Sequence, residues 1–242
     1  MGGKGVFNTI KRTLWRFDID IKRRRSLSTF EANLMSALTA YRIETVLDVG
    51  ANVGQFARLL RSLGYDRRII SFEPDPDSFR TLRENAAHDP LWDCRNIGLS
   101  DTQGTLEFHR YNHSVLSSFS VLNEEGRKRF PDAREIGREE IEVSRLDAIL
   151  SQQDRASGPM FLKIDTQGHD LRVFAGAEGA LSQIAGLCCE IPFKSLYAGN
   201  KDWHGAIGSY EGKGFSLSGI YPVSRNAGLE LLEGDALFVR AH

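Results

Sequence analysis

Asp48, Gly50, Asn52 and Gly54 fall within the run T-V-L-D-V-G-A-N-V-G, and Glu73 follows at the end of R-R-I-I-S-F-E-P. A short apolar strand running into a glycine turn, then a helix, then a second strand ending in a carboxylate is a nucleotide-binding layout. Asn52 makes the turn Gly-x-Asn-x-Gly, so the three-glycine dinucleotide fingerprint is absent and pyrophosphate has a poor cradle. Asp48, two residues before the first glycine, is expected to face a positive amino or sulfonium group. Glu73 offers two acceptor oxygens to vicinal ribose hydroxyls. Gly50 is expected to let the backbone approach the ligand, and Gly54 to let the next helix pack closely. Together these features point to S-adenosylmethionine. The bland alternative is a structural glycine turn with both acids as caps, against which the joint agreement of turn, acids and spacing counts.

Two further carboxylates, Asp165 in F-L-K-I-D-T-Q-G-H-D and Glu190, end apolar runs that read as core strands. In an open α/β sheet, ligands lie outside the carboxyl ends of the strands, so Asp48, Glu73, Asp165 and Glu190 are expected on one rim. Methyl transfer requires an acceptor lone pair in line with the S–CH₃ bond, and a hydroxyl acceptor must also lose a proton. Asp165 is the first candidate base and Glu190 the second, with His169 or His113 as outside choices. The ordinary reading of His109, His113 and His169 is surface histidine. A divalent ion held by Asp165 and Glu190 is a competing mechanism, possible in principle but not expected, since no third ligand is evident. Trp203, Tyr197, His204 and Lys194 follow Glu190 and could supply aromatic faces for a sugar, or simply pack the last helix. Cys94, Cys188 and Cys189 read as packing thiols.

Around these residues the chain alternates strands and helices: strand 45–49, helix 53–63, strand 68–72, helix 76–87 and a third strand near 94–99. That alternation argues a parallel sheet covered on both faces. Residues 105–111 and 141–144 form an expected hairpin-like excursion, with a polar stretch over 112–140 between them. The parallel pattern resumes at 160–165, continues through a helix carrying Leu171, Phe174, Ala175 and Leu181, and reaches a strand over 186–191. A helix with Trp203, Ile207 and Tyr210 precedes two final strands joined by a turn at 226–228, which must run antiparallel to one another. A helix over 29–41 is expected beside the first strand.

The 242 residues are 41% hydrophobic and 26% charged, ordinary for a globular chain. No apolar run reaches spanning length and no secretory signal is evident, so the cytoplasm is the expected compartment. Residues 1 to 25 hold eight Lys or Arg against Asp18 and Asp20, a local +6 that leaves −7 for the rest of a chain whose net charge is −1. Phe7, Ile10, Leu14 and Phe17 share one helical face there. Residues 1–40 therefore read as a basic amphipathic helical extension, either a lid or a peripheral contact with an anionic membrane surface, and residues 41–242 as the catalytic domain. The acidic remainder offers no stripe for nucleic acid, and oligomeric state is not readable.

With V-L-D-V-G-A-N-V-G-Q-F, S-F-E-P, F-L-K-I-D-T-Q-G-H-D and G-F-S-L-S-G-I-Y-P-V…D-A-L-F-V-R in view, the chain resembles the FkbM-type methyltransferase family over roughly residues 40–240. The resemblance implies a class I (Rossmann-like) methyltransferase fold: a seven-stranded, mostly parallel sheet with helices on both faces and an antiparallel C-terminal hairpin. It also implies S-adenosylmethionine as donor. Asp48, Gly50, Asn52, Gly54 and Gln55 match the donor loop, Glu73 the ribose acid, and Ser100 with Asp101 the segment near adenine. Ser117 and Ser118 resemble the family's paired serines, and Asp165 and Gly168 match its lysine-isoleucine-aspartate block, where His169 stands at an often aromatic position. The implied activity is O-methylation of a hydroxyl on a sugar, glycolipid or other glycosylated natural product. Methylation of a non-carbohydrate small molecule, a nicotinamide-dependent oxidoreductase and a non-catalytic nucleotide-binding module are the alternatives.

Overall fold

The computed structural model describes residues 29–151, 158–199 and 201–241. The amphipathic stretch expected before Thr29 lies outside them. Strands β1 (Thr45–Val49), β2 (Arg68–Phe72) and β3 (Trp92–Arg95) run parallel on one side of the main sheet. Strands β7 (Met160–Ile164) and β8 (Ile184–Pro192) continue it in parallel on the other side of β1. Strand β10 (Leu231–Arg240) then pairs antiparallel with both β8 and β9 (Phe215–Arg225), giving the seven-stranded order β3-β2-β1-β7-β8-β10-β9. The class I architecture implied by the resemblance is the one present.

Why β1, T-V-L-D-V, shows no polar–apolar alternation is clear from its neighbours. All five of its residues are buried, with Leu47 and Val49 in the cluster on one face of the sheet and Val46 in the cluster on the other. A strand covered on both faces loses the polar half of its alternation. Helix α1 (Phe30–Ala40) starts where the Thr29 hydroxyl accepts from Ala32 N–H at 3.2 Å. It shares the cluster of Val46, but its specific bonds go to the C-terminal hairpin: Asn33 Nδ2 donates to Ser218 Oγ at 3.0 Å and Tyr41 Oη to Arg240 O at 3.2 Å. Helices α2 (Gln55–Leu63) and α3 (Pro76–Ala86) follow β1 and β2, and the first ends at Gly64 in the left-handed conformation.

The strand expected over 94–99 divides in two. Trp92–Arg95 stays in the main sheet, while β4 (Gly98–Leu99) leaves it to join a second sheet of order β4-β6-β5 with β5 (Gly104–Tyr111) and β6 (Glu135–Ser144). The excursion is thus present, and β6 begins six residues earlier than its apolar positions show, because its first half is largely solvent-exposed. The polar stretch before it carries a 3₁₀ turn (Ser114–Leu116) and α4 (Glu124–Arg129). Helices α5 (Leu146–Ser151), α6 (Asp170–Gly176) and α7 (Trp203–Glu211) complete the described elements apart from a 3₁₀ segment over Glu178–Gln183.

Candidate active site

The turn after β1 is built from left-handed residues: Gly50 at φ 73°, Asn52 at φ 47° and Gly54 at φ 87°. Asn is among the few side chains that tolerate this region. A Cβ on Gly50 would lie 1.9 Å from the Asp165 carbonyl oxygen, so its bareness is required by the close approach of β7. A Cβ on Gly54 would lie 2.7 Å from the Trp92 ring, which explains its role in close packing of α2. The Asn52 N–H donates to Glu73 Oε2 at 2.7 Å and the Asp75 N–H to Oε1 at 2.9 Å, which pins the carboxylate across the mouths of β1 and β2. Burial pushes Glu73 up to about 7, while those two N–H groups pull the other way.

These residues open onto a cavity of 670 Å³, within the range of about 300–1,000 Å³ usual for small-molecule sites. Gly50, Asn52, Gln55, Glu73, Ser117, Ser118, Asp165 and Glu190, all singled out from sequence, border it. The paired serines hold its wall. Ser117 Oγ accepts from the Tyr111 N–H at 3.0 Å, and the Ser118 hydroxyl reaches the carbonyls of Thr166 at 3.0 Å and Gln167 at 2.8 Å. Ser118 thereby ties the inserted sheet to the loop after β7.

Asp48 departs from expectation. Its carboxylate is fully buried away from the cavity, with Oδ1 3.1 Å from Lys163 Nζ and Oδ2 accepting from Ser71 Oγ at 3.1 Å. It braces the strands beneath the turn after β1 and does not border the cavity. Lys163 also donates to Gly50 O at 2.9 Å. Burial pulls its ammonium down, but Asp48 and Asp165 more than offset this and hold it above the ordinary range.

Ser100, Asp101 and His169 likewise do not border the cavity. Ser100 is fully buried beneath α6, where a Cβ on Gly176 would lie 2.0 Å from the Ser100 carbonyl oxygen. Its hydroxyl contacts His169 Nε2 at 3.0 Å, and Asp101 pairs with Arg172 at 3.3 Å. Burial, helped by Arg172, lowers His169 to about 4, so it is a neutral packing group against Phe119 and is removed from the set of candidate bases. Ile97, Leu99 and Phe119 supply the apolar wall in that region instead. His113 pairs with Asp132 at 2.9 Å outside the cavity, and His109 is buried between Glu107 and Glu135, not at the surface.

At the other end of the cavity Asp165, Glu190 and Asp235 converge. Glu190 and Asp235 are cross-strand partners of β8 and β10. Burial, then the charges of Asp165, Glu233, Asp170 and Asp235, push Glu190 up to about 9. Burial and Asp165 push Asp235 up to about 6. Among the described residues no group of three or more His, Cys, Asp or Glu side chains comes together to hold a metal ion, and the ammonium of Lys163 lies 3.5 Å from Asp165. Of the two readings of the residues after Glu190, packing is the one present: Trp203 packs on Phe193 and His204, Lys194 pairs with Glu230, and Tyr197 is buried behind the cavity wall. Cys188 and Cys189 are buried free thiols whose ionisation burial strongly opposes, and Cys94 is a half-buried one.

Sequence reasoning passed over Lys163, Gln167 and Asp235. For Lys163 the usable signal was a single charge inside an otherwise apolar strand, F-L-K-I, which calls for a buried partner or a ligand; Gln167 and Asp235 carried no such local signal.

Residues 48–216 match the Methyltransferase FkbM domain. The 2-O-methyltransferase NoeI of Sinorhizobium fredii is 26% identical over 209 residues, covering 81% of this chain and 82% of its own. The hexuronic acid methyltransferase AglP of Haloferax volcanii is 26% identical over 150 residues, covering 61% of this chain and 56% of its own. Among solved structures, a Listeria monocytogenes protein described as an S-adenosylmethionine dependent methyltransferase superposes with a TM-score of 0.50 at 6% identity, over 87% of this chain and 96% of that one, a likeness of fold alone. With the family domain spanning most of its length, the chain belongs to the FkbM methyltransferase family and is an S-adenosylmethionine-dependent methyltransferase.

Proposed function

We propose that the enzyme methylates a hydroxyl of a sugar, glycolipid or other glycosylated natural product, with Asp165 receiving the hydroxyl proton. The observation that carries this reading is the charge of the cavity. Glu73 lies at one end and Asp165, Glu190 and Asp235 at the other, while Lys163, held between Asp48 and Asp165, is the one Lys or Arg among the described residues lining it. Such a site suits a donor bearing a sulfonium and an α-ammonium and repels the phosphates of a dinucleotide. Each Glu73 oxygen already accepts one N–H and retains acceptor capacity for a ribose hydroxyl. Bound S-adenosylmethionine supplies a methyl group on positively charged sulfur. As the acceptor oxygen bonds to that carbon, the C–S bond breaks, its electron pair stays on sulfur, and the proton passes to the acceptor-side carboxylate. The names of two relatives, one a 2-O-methyltransferase and one acting on a hexuronic acid, support an oxygen acceptor on a carbohydrate.

Thr29, Phe30 and Glu31, the first described residues, border the cavity, and the +6 segment of residues 1 to 25 precedes them in the sequence. On this reading that segment favours an acceptor carried at an anionic surface. The test is transfer of labelled methyl from S-adenosylmethionine to a panel of methyl hexopyranosides, methyl hexuronides and non-carbohydrate alcohols, with and without anionic vesicles. Label is expected in a neutral hexopyranoside. Label only in the alcohols or in co-purifying RNA or protein would refute the acceptor class. Vesicle binding unchanged when Lys22, Arg23, Arg24 and Arg25 are all replaced by Glu would refute the surface role.

A further inference from the structure

Gln167 stands at φ 53° in the wall of the cavity. In this left-handed region a side chain crowds the backbone and glycine is the easy choice, as its neighbour Gly168 at φ 91° shows. A strained non-glycine residue at a ligand site is an observation from which a functional role can be argued. The turn is over-determined from outside: Ser118 Oγ reaches the carbonyls of Thr166 and Gln167, Ser120 Oγ donates to Gly168 O at 3.1 Å, and Asp170 accepts from the Thr166 N–H at 2.9 Å and the Gly168 N–H at 3.2 Å.

Gln167 Nε2 donates to Asp165 Oδ1 at 2.8 Å, and its Oε1 accepts from Tyr197 Oη at 3.0 Å. The amide has one sensible orientation. An ionised carboxylate can only accept, so the NH₂ must face Asp165, which leaves the carbonyl for the Tyr197 hydroxyl. The other oxygen of Asp165, Oδ2, sits 3.5 Å from Lys163 Nζ. Held by an amide on one oxygen and an ammonium beside the other, the carboxylate has little freedom to rotate. Tyr197 is 5% exposed and comes from the segment after β8, so the chain of contacts crosses from one strand's loop to the next.

We infer that Gln167 is a positioning residue for methyl transfer: anchored by Tyr197, it fixes the Asp165 carboxylate at the angle from which it takes the acceptor proton. The inference rests on the reading of Asp165 as proton acceptor. Around Asp165 the other ionisable groups are Lys163 on β7, Glu190 on β8, Asp235 on β10, Asp170 on α6 and Tyr197 itself, and Gln167 is the uncharged member that selects one orientation among them.

The test compares full-length wild type with Gln167→Gly, Gln167→Glu, Tyr197→Phe and Asp165→Asn, using labelled S-adenosylmethionine and the methyl hexopyranoside that takes label fastest in the panel above. Gln167→Gly relieves the left-handed strain, so its melting temperature should stay near wild type while kcat falls about 10- to 100-fold, the scale of a small misplacement of a reacting group. Gln167→Glu keeps the shape and the Tyr197 contact but sets a carboxylate against Asp165, and should lower kcat comparably with the donor KM unchanged. Tyr197→Phe should lower kcat less, in the same direction. A residue that only shapes the turn would not produce this split. If Asp165→Asn abolishes transfer while both Gln167 variants keep kcat within twofold, the positioning role alone is overturned. If Asp165→Asn retains wild-type kcat, or the panel takes no label, the underlying reading falls with it.

Discussion

Glu73 is nearly as buried as a core residue, at 6% exposure, yet it borders the cavity and must keep an acceptor face toward it. Two backbone N–H groups, of Asn52 and Asp75, make that possible by solvating the carboxylate in place of water. On the proposal that Glu73 accepts from the ribose diol, Glu73→Ala strands both donors and removes those acceptors, so S-adenosylhomocysteine affinity measured by calorimetry should fall about 10- to 100-fold, the loss expected from one or two charge-assisted hydrogen bonds. Unchanged affinity would mean that another group holds the ribose. Glu73 was legible because its place at a strand end fixes where its side chain goes. Asp48 was legible as an acid near the turn and misread in direction, because its partners come from neighbouring strands: Ser71 of β2 and Lys163 of β7 are its partners in register. Those pairings join residues 23 and 115 positions away, and no local pattern carries them. The placement of Ser100 and His169 was hidden for the same reason, since only α6 packing over β4 shows that they face each other and do not border the cavity.

Elements that bury one or both faces were readable, and those that bury little were not. Strands β1, β2 and β7 coincide with or fall within a residue of their apolar runs because the sheet removes them from water. The first half of β6 projects into solvent, so its alternation has no core to register against, and α4 is a six-residue charged helix with one buried residue, Gly126. What holds α4 is tertiary. Arg129, its last residue, donates to Glu233 Oε2 at 2.7 Å and to Ser224 Oγ at 2.9 Å, tying the inserted segment to the C-terminal hairpin beside the acidic end of the cavity. Glu233 is 7% exposed, so Arg129→Ala leaves a nearly buried carboxylate without its cation. We expect a loss of about 2–3 kcal/mol in chemical denaturation, together with faster amide exchange over residues 112–134 and little change in β1 and β7. Uniformly faster exchange across the main sheet would show instead that the insertion and the sheet unfold as one unit.

At the scale of the whole molecule, the cavity gathers carboxylates that the unliganded protein holds partly protonated. Burial first, then neighbouring acids, raise Glu190 from 4.5 to about 9 and Asp235 from 3.8 to about 6, and burial raises Glu73 from 4.5 to about 7. In the unfolded chain these groups lose their protons near pH 4, whereas the native protein retains them through the interval up to each raised value. The native state therefore binds more protons there, and stability must fall as pH rises. The contribution of these groups is fully present below about pH 4 and is lost stepwise on passing about 6, 7 and 9. The melting temperature of the unliganded protein should accordingly decline from pH 5 to pH 9 on account of this cluster. A cationic donor acts in the opposite sense, because positive charge in the cavity favours the ionised carboxylates. Binding near pH 7.5 should thus expel protons, most of them from Glu190, and the decline of melting temperature with pH should flatten when S-adenosylmethionine is saturating. Calorimetric titrations in phosphate and in Tris, whose ionisation enthalpies differ, read the number released. S-adenosylhomocysteine lacks the sulfonium charge and should release fewer. Equal release by the two ligands would place the raised carboxylates beyond reach of the sulfur, and proton uptake on binding either one would contradict the charge logic of the site.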